Sequence, residues 1–401
     1  MAQINKITLR NYKSLQNVEI ALNPLNILIG RNGSGKSNLV NFFRLLCHAS
    51  NEQLASEISR LGGFSEIRSR GSGEREGIEW ELELAGLDHV IQARQGDPVY
   101  YTGQLAAQGN SFTVKFEEIA QDPFPGHSER YKYLSATNGR VRILKSRTGD
   151  ETKDIDYVYK DQELIVSQIR DPMSYPLLDE IRRLLKDWTI FRGFGENALE
   201  NIYKSQPVNA LYPMRLDPEG ENLISVLQDL DNEGRYSQAY DSLNEILSIA
   251  FPDFEKLDIK PVAENRFELR WRSSDFPGKP AFPARSMSDG MLRFIGLATL
   301  LLLPDPPALI AIDEPEIGLH HSLIPLLGGL LKQASERTQV IVTTHSPLLL
   351  SSEDIELSDV VLVERAEGST IIERADSRAN LDRWLERYEL GELWTMGKLG
   401  G

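Results

Sequence analysis

A chain of 401 residues, 41% of them hydrophobic, can build one large α/β domain with an insertion, or two domains. With 44 Lys and Arg against 59 Asp and Glu, its formal charge of −15 argues against a surface dominated by nucleic-acid affinity while leaving room for a local basic groove. The single cysteine, Cys47, excludes a disulfide within this chain and reads as a small buried residue of a helix.

Ile4, Ile7 and Leu9, then Val18, Ile20 and Leu22, predict strands that lead into Leu25-Asn26-Ile27-Leu28-Ile29, a short apolar run that reads as a buried strand. Gly30-Arg31-Asn32-Gly33-Ser34-Gly35-Lys36-Ser37 follows and matches GxxxxGKS. Leu39, Val40, Phe42, Phe43, Leu45 and Leu46 then have the spacing of a helix packed on a sheet. Strand, glycine loop and helix together are the context of a phosphate-binding P-loop. Glycines let the chain curl so that backbone N–H groups face phosphate oxygens, and the helix N-terminus adds its positive end. Gly30, Asn32, Gly33, Ser34, Gly35 and Asn38 are the expected lining, with Lys36 on the β- and γ-phosphates and the Ser37 hydroxyl on Mg²⁺.

Beyond this helix a polar, glycine-bearing loop is expected over 62–77. Ile78-Glu79-Trp80-Glu81-Leu82-Glu83-Leu84 alternates strictly and predicts a half-buried antiparallel strand. Short β-like runs at 111–116, 141–144 and 155–159 extend this into an antiparallel layer. The period changes near Tyr175, where Leu177, Leu178, Ile181, Leu184, Leu185 and Trp188 share one helical face with Arg182, Arg183 and Lys186 off it. Helical signal continues over 222–230 and 236–249, and Phe267, Leu269 and Trp271 mark a return to strand. From 286 to about 364, helix and strand alternate as a parallel α/β layer should.

This last third carries further chemistry. Leu309-Ile310-Ala311-Ile312-Asp313-Glu314 is an apolar strand ending in two acids, the first suited to hold Mg²⁺ through water and the second to act as general base. Val340-Ile341-Val342-Thr343-Thr344-His345 is a buried strand with a histidine at its exit, where a side chain can hydrogen-bond a γ-phosphate. Ser286-Met287-Ser288-Asp289-Gly290-Met291-Leu292-Arg293 opens a long apolar helix with Ser288 as its N-cap.

P-loop, Ser-x-Gly-headed helix, Asp-Glu strand and histidine, in that order, resemble the ABC-type ATPase head, in particular the bacterial stand-alone AAA family ATPases related to RecF, the SMC proteins and the OLD family. Ile7-Thr8-Leu9-Arg10-Asn11-Tyr12-Lys13-Ser14-Leu15 resembles the strand before their P-loop. Ser167-Gln168-Ile169-Arg170-Asp171-Pro172 resembles the Q-loop, Ser288-Asp289-Gly290 the signature, Glu314-Pro315-Glu316-Ile317-Gly318-Leu319-His320 the Walker B and D-loop, and Thr344-His345-Ser346-Pro347 the H-loop. Leu390-Gly391-Glu392-Leu393-Trp394 is similar to the ending of stand-alone members.

The resemblance implies an α/β fold, an ABC-type P-loop NTPase head with an antiparallel β layer and a small helical lobe inserted between Walker A and the signature. It implies an N-terminal ATPase lobe over 1–160, a Q-loop and helical insertion with returning strands over 161–275, and a C-terminal lobe over 276–401. It also implies an ATPase using ATP and Mg²⁺ in a head-to-tail homodimer. Lys36, Ser37, Gln168, Asp313, Glu314 and His345 would act from one subunit, with Ser288 and Gly290 meeting the γ-phosphate from the other. Gln168, Glu314 and His345 carry the catalytic roles, and Ser37, Gln168 and Asp313 the metal. Two positions depart from the transporter-type pattern, Met291 and Asp289. A carboxylate at 289 repels a γ-phosphate unless it points away, binds a cation or caps the helix.

The stretch after His345 is short for the Toprim nuclease of the OLD enzymes, so a separate effector protein (nuclease or Toprim-like) is expected, gated in anti-phage defence or DNA maintenance. The alternative is a RecF-like clamp that binds DNA directly, through Arg182, Arg183 and Lys186 or through Arg140, Arg142, Lys145 and Arg147. No basic start with an apolar follow-on opens the chain, and the apolar run at 295–303 is too short to span a bilayer; a cytoplasmic protein without a membrane domain is expected.

Overall fold

The computed structural model describes residues 2–70, 73, 76–91, 95–144, 152–155, 159–207, 215–231, 236–379 and 381–399. They form two compact units, one of 1–188 with 360–379 and one of 189–359 with 380–399.

In the first unit an eight-stranded antiparallel sheet runs in the order Leu15–Ala21, Gln3–Tyr12, Ile78–Ala85, Val99–Gln108, Ser111–Gln121, Tyr131–Thr137, Arg140–Leu144, Thr152–Ile155. The alternation read in the sequence is the alternation of burial: Ile78, Trp80, Leu82 and Leu84 are buried and the glutamates between them are half-exposed. Leu9 pairs with Val18 on one side and Trp80 on the other, placing the three on one face. Phe42 of the P-loop helix Lys36–Ala49 packs edge-on against Tyr12 and lies 6.1 Å from the Trp80 ring, which fastens that helix to the sheet. Gly103 faces Trp80 across the strand pair, where any Cβ would overlap the indole. The P-loop strand Leu25–Ile29 is fully buried and pairs in parallel with Val360–Ala366, which turns back as a hairpin into Ser369–Arg374.

Three local expectations shift. Within the loop expected over 62–77, Phe64–Ile67 is a short helix because Phe64 and Ile67 find core positions; Gly62 and Gly63, both at positive φ, separate it from the helix Leu54–Arg60. The strand expected at 111–116 runs on to Gln121 through buried Glu117 and Glu118. The strand expected at 155–159 lies at Thr152–Ile155, and residues 156–158 fall outside the described residues.

In the second unit Thr189–Phe191, Leu309–Asp313 and Gln339–Thr344 form neighbouring parallel strands. The helices Asp289–Leu302 and Ile324–Ser335 follow the pattern of a parallel α/β layer. Phe194 fits into the gap at Gly296, where a Cβ would overlap its ring; this accounts for a glycine within an apolar helix. Helices Leu223–Asp231 and Ser237–Ala250 precede an antiparallel pair, Phe254–Ala263 with Arg266–Ser273. The closing helix expected over 382–393 is two short ones, Leu381–Leu385 and Leu390–Thr395, the second restarted by a capping box between Glu389 and Glu392. Among the described residues no helix is long and apolar enough to cross a membrane.

Candidate nucleotide-binding and hydrolysis residues

The first cluster lies in the first unit. Gly33 and Gly35 take φ of 77° and 116°, open to glycine at no steric cost, and a Cβ at Gly30 would overlap the Val363 carbonyl. Lys36, buried at the start of its helix, donates from Nζ to the Gly30 carbonyl at 2.7 Å and to the Arg31 carbonyl at 3.3 Å. Ser34 is 3% exposed, and its hydroxyl has no hydrogen-bond partner among the described residues. A buried polar atom left unpaired is costly, and a phosphate oxygen is a natural acceptor for it. Arg31, Asn32, Gly33, Ser34, Glu364 and Arg365 line a cavity of about 320 Å³, and its two arginines suit it to an anion. Ser37 is half-buried, its carbonyl accepting from Asn41 Nδ2 at 2.7 Å. Asn38 bonds the Ser14 hydroxyl at 2.8 Å, a bracing contact where the sequence suggested a phosphate ligand.

Gln168 ends the short helix Ile165–Gln168. Its Oε1 accepts from Lys160 N–H at 2.9 Å, and its Nε2 donates to the carbonyls of Lys160 and Glu163, both at 3.1 Å. The amide is therefore bonded within its own loop. The helix start is held by Glu117, whose carboxyl accepts from Ile165 N–H at 2.5 Å, Val166 N–H at 3.1 Å and the Tyr101 hydroxyl at 3.0 Å. Burial pushes the Glu117 carboxyl up to about 7 against the pull of those three donors.

The second cluster lies in the second unit. Asp313 ends its strand and accepts a hydrogen bond from the Thr343 hydroxyl on the neighbouring strand. Glu314 N–H donates to that hydroxyl oxygen at 3.0 Å and to the Thr343 carbonyl at 3.1 Å, which holds Glu314 at φ 50° in the left-handed region. His345 Nε2 lies 3.3 Å from Glu314 Oε1. Glu316 Oε1 accepts from the Thr344 hydroxyl at 2.7 Å and from His345 N–H at 2.9 Å, fixing the backbone that carries the histidine. Asp313 and Glu314 border a small cavity of about 80 Å³ with Arg192 and Arg293.

The signature segment belongs to the same unit. Ser288 is the N-cap, its hydroxyl accepting from Met291 N–H at 3.2 Å. Asp289 is not the cap; its carboxylate accepts from the Tyr203 hydroxyl. Gly290 lies against Gly318, whose carbonyl oxygen would be 2.8 Å from a Cβ at that position.

A family model described as "AAA domain, putative AbiEii toxin, Type IV TA system" matches residues 25–351. The chain belongs to that family. By family and by fold it is an ABC-type ATPase head. The DNA replication and repair protein RecF of Geobacter sp. (strain M21) is 26% identical to it over 231 residues, 51% of this chain and 61% of RecF. The DNA repair protein RecN of Haemophilus influenzae is 33% identical over 97 residues, 24% of this chain and 17% of RecN. The chain thus spans about three fifths of the first relative and about a sixth of the second. Among solved structures, an Smc head bound to the C-terminal winged-helix domain of ScpA superposes with a TM-score of 0.53 at 16% identity, covering 92% of this chain and 97% of that one. An Smc head with an extended coiled coil bound to the C-terminal domain of ScpA, from Pyrococcus furiosus, gives 0.54 at 14% identity, covering 96% and 100%. Both show the fold.

In this AAA-domain chain the basic residues singled out for DNA are partly neutralised. Arg182 and Arg183 both pair with Asp179, at 2.5 and 2.7 Å. Arg140 and Arg142 lie on an edge-side strand, while Lys145 and Arg147 fall outside the described residues. Among the described residues no group of three or more His, Cys, Asp or Glu is arranged to hold a metal. Sequence reading passed over Glu117, and quoted Thr343, Ser14 and Glu316 only as parts of motifs. Thr343 sits one strand across from Asp313, a neighbour that only the parallel register brings together.

Proposed function

We propose that this chain binds Mg²⁺–ATP, dimerises head to tail on it, and hydrolyses it to gate a separate effector protein in anti-phage defence or DNA maintenance. The observation that carries the reading is Glu314, turned at positive φ beside Asp313 and held 3.3 Å from His345 Nε2. In this reading the P-loop amides and Lys36 hold the phosphates. Glu314 takes the proton of a water as its oxygen bonds the γ-phosphorus and the bond to the bridging oxygen of ADP breaks. His345 offers a donor to the γ-phosphate from beside the Glu314 carboxylate. Mg²⁺, held by the Ser37 hydroxyl and Asp313, would neutralise phosphate charge. Ser288 and Gly290 act in trans on the second subunit's nucleotide, and the Tyr203 hydroxyl holds the Asp289 carboxylate between them.

Support for a separate partner comes from the Smc heads, whose solved forms hold part of ScpA, and support for a defence role from the family description, which names a putative toxin of a toxin–antitoxin system. The match to RecF favours a second reading, a clamp that acts on DNA directly. The pairing of Arg182 and Arg183 with Asp179 weighs against it. ATP turnover measured with and without double-stranded DNA, alongside mass by light scattering, separates the two. ATP-driven dimers indifferent to DNA are expected; DNA-stimulated turnover would favour the clamp. Glu314→Gln should bind ATP, turn over at least roughly a hundredfold more slowly, and accumulate as dimer. Wild-type turnover in that variant would remove Glu314 as the base.

A further inference from the structure

A P-loop binds phosphate only while its peptide planes present N–H groups to it, and glycine leaves such planes free to turn over. In this chain the plane between Ser34 and Gly35 is held by side chains from distant parts of the sequence. Thr370, on the hairpin strand Ser369–Arg374, places Oγ1 2.6 Å from the Ser34 carbonyl oxygen and 2.7 Å from Ser14 Oγ. Ser14, in the turn between the first two strands, receives Asn38 Nδ2 at 2.8 Å, and its carbonyl accepts from Thr370 N–H at 2.8 Å.

Counting protons sets the direction of this chain. A carbonyl only accepts, so the one hydrogen of the Thr370 hydroxyl goes to Ser34. The Ser14 hydroxyl then donates to Thr370 and accepts from the Asn38 amide. The relay runs one way, from Asn38 through Ser14 and Thr370 to the P-loop carbonyl. Thr370 is 1% exposed, so solvent does not compete for that last bond.

In a trans peptide the C=O and N–H point in opposite directions. Pinning the Ser34 carbonyl to Thr370 therefore turns the Gly35 N–H away from Thr370. A flipped plane would put an oxygen where the N–H stands, and a phosphate is repelled by the one and bound by the other. Gly35 itself, at φ 116°, leaves room for the relay: a Cβ there would overlap Thr370 Oγ1 and lie 2.8 Å from Ser14 Oγ.

We infer that Thr370 is a positioning residue for nucleotide binding, whose hydroxyl, oriented by Asn38 through Ser14, locks the Ser34–Gly35 peptide with its N–H toward the phosphates; this rests on the ATP-binding reading of the P-loop. The test is calorimetric titration of the purified chain with Mg²⁺–ATP at low temperature, with melting of each nucleotide-free protein followed in parallel. Thr370→Val keeps the shape and deletes the donor; its affinity should fall roughly ten- to a hundredfold. Thr370→Ser keeps the donor and should bind within roughly threefold of wild type. Ser14→Ala breaks the relay while leaving Thr370 in place, and should fall between them. A threonine that only filled space would leave ATP affinity unchanged in Thr370→Val, and that result overturns the inference, as does a Ser variant as weak as the Val one. Should Thr370→Val fail to fold, wild-type affinity in Ser14→Ala overturns it instead. Lys36→Ala separates this from the reading beneath it: a wild type that binds no ATP, or a Lys36→Ala variant that binds normally, removes the P-loop assignment itself.

Discussion

Glu117 offers the most quantitative test of how the Q-loop segment is held. Its side chain is fully buried and stands at the start of the Ile165–Gln168 helix, bonded to Ile165 N–H, Val166 N–H and the Tyr101 hydroxyl. Burial outweighs those donors and raises the carboxyl from its ordinary 4.5 to about 7. The folded protein thus keeps the proton to higher pH than the unfolded chain does. This site's contribution is present in full below pH 4.5 and is lost as pH rises through 7. At about 1.4 kcal/mol for each pH unit, the loss is on the order of 3 kcal/mol. Glu117→Gln cannot titrate. It also turns one acceptor into an amide donor facing a backbone N–H, at a pH-independent cost of about 1–3 kcal/mol. Urea unfolding of both proteins at constant ionic strength from pH 4.5 to 8.5, read by tryptophan fluorescence, should show wild type ahead at acid pH and the gap shrinking by about 3 kcal/mol across the window. All other titrating groups are common to both proteins and cancel in the difference. Stability profiles that run parallel would refute the argument that burial controls this carboxyl.

Other consequences follow from single contacts. Glu316→Ala frees Thr344 and His345 N–H and should lower kcat for ATP about 10- to 100-fold with little change in KM, while Glu316→Gln, which keeps the accepting oxygen, should retain most activity. Gly296→Ala drives a methyl into Phe194 and should cost about 1–3 kcal/mol in a thermal melt, partly recovered by adding Phe194→Leu; additive losses would show that the two are not in contact. Glu57, with its side chain 3% exposed and bonded to both Arg44 and Arg60, holds a buried charge on the P-loop helix. Glu57→Ala should destabilise by about 3–5 kcal/mol in denaturant unfolding, and a loss below about 1 kcal/mol would mean that Arg44 finds water when its partner is removed.

What the sequence made legible was chemistry carried by contiguous residues. A P-loop is one strand, one glycine turn and one helix, and Ile78 to Leu84 declares its sheet face by alternation alone. The signature helix announced its start because Ser288 caps it locally. Legibility failed where a partner comes from far along the chain. Thr370 meets Ser34 only because the C-terminal hairpin pairs with the P-loop strand, and no pattern near Thr370 marks it. The strand Ser111–Gln121 runs past the expected 111–116 through Glu117 and Glu118, residue types that are seldom buried, whereas both are buried here. The break near Tyr388 was hidden because a capping box built on Glu389 lacks the serine or threonine that usually signals one.

The buried acids that obscured the sequence also explain how this unit holds together. The helices Leu54–Arg60 and Ile165–Gln168 follow Gln53 and Leu164, and neither receives a cap from that residue's side chain. Their first N–H groups need acceptors from elsewhere. Glu117, from the antiparallel sheet, serves the Gln168 helix; Glu163, immediately before that helix, serves Leu54 and Ala55 N–H at 2.9 and 3.3 Å. Burial raises the Glu163 carboxyl as well. Two carboxyls in series therefore tie the sheet to the Gln168 helix, and that helix to the one following the P-loop helix. Loosening the first should be felt at the second. Amide exchange at Leu54 and Ala55 should quicken in Glu117→Gln, although neither residue touches position 117, and unchanged exchange would mean that the two caps act independently.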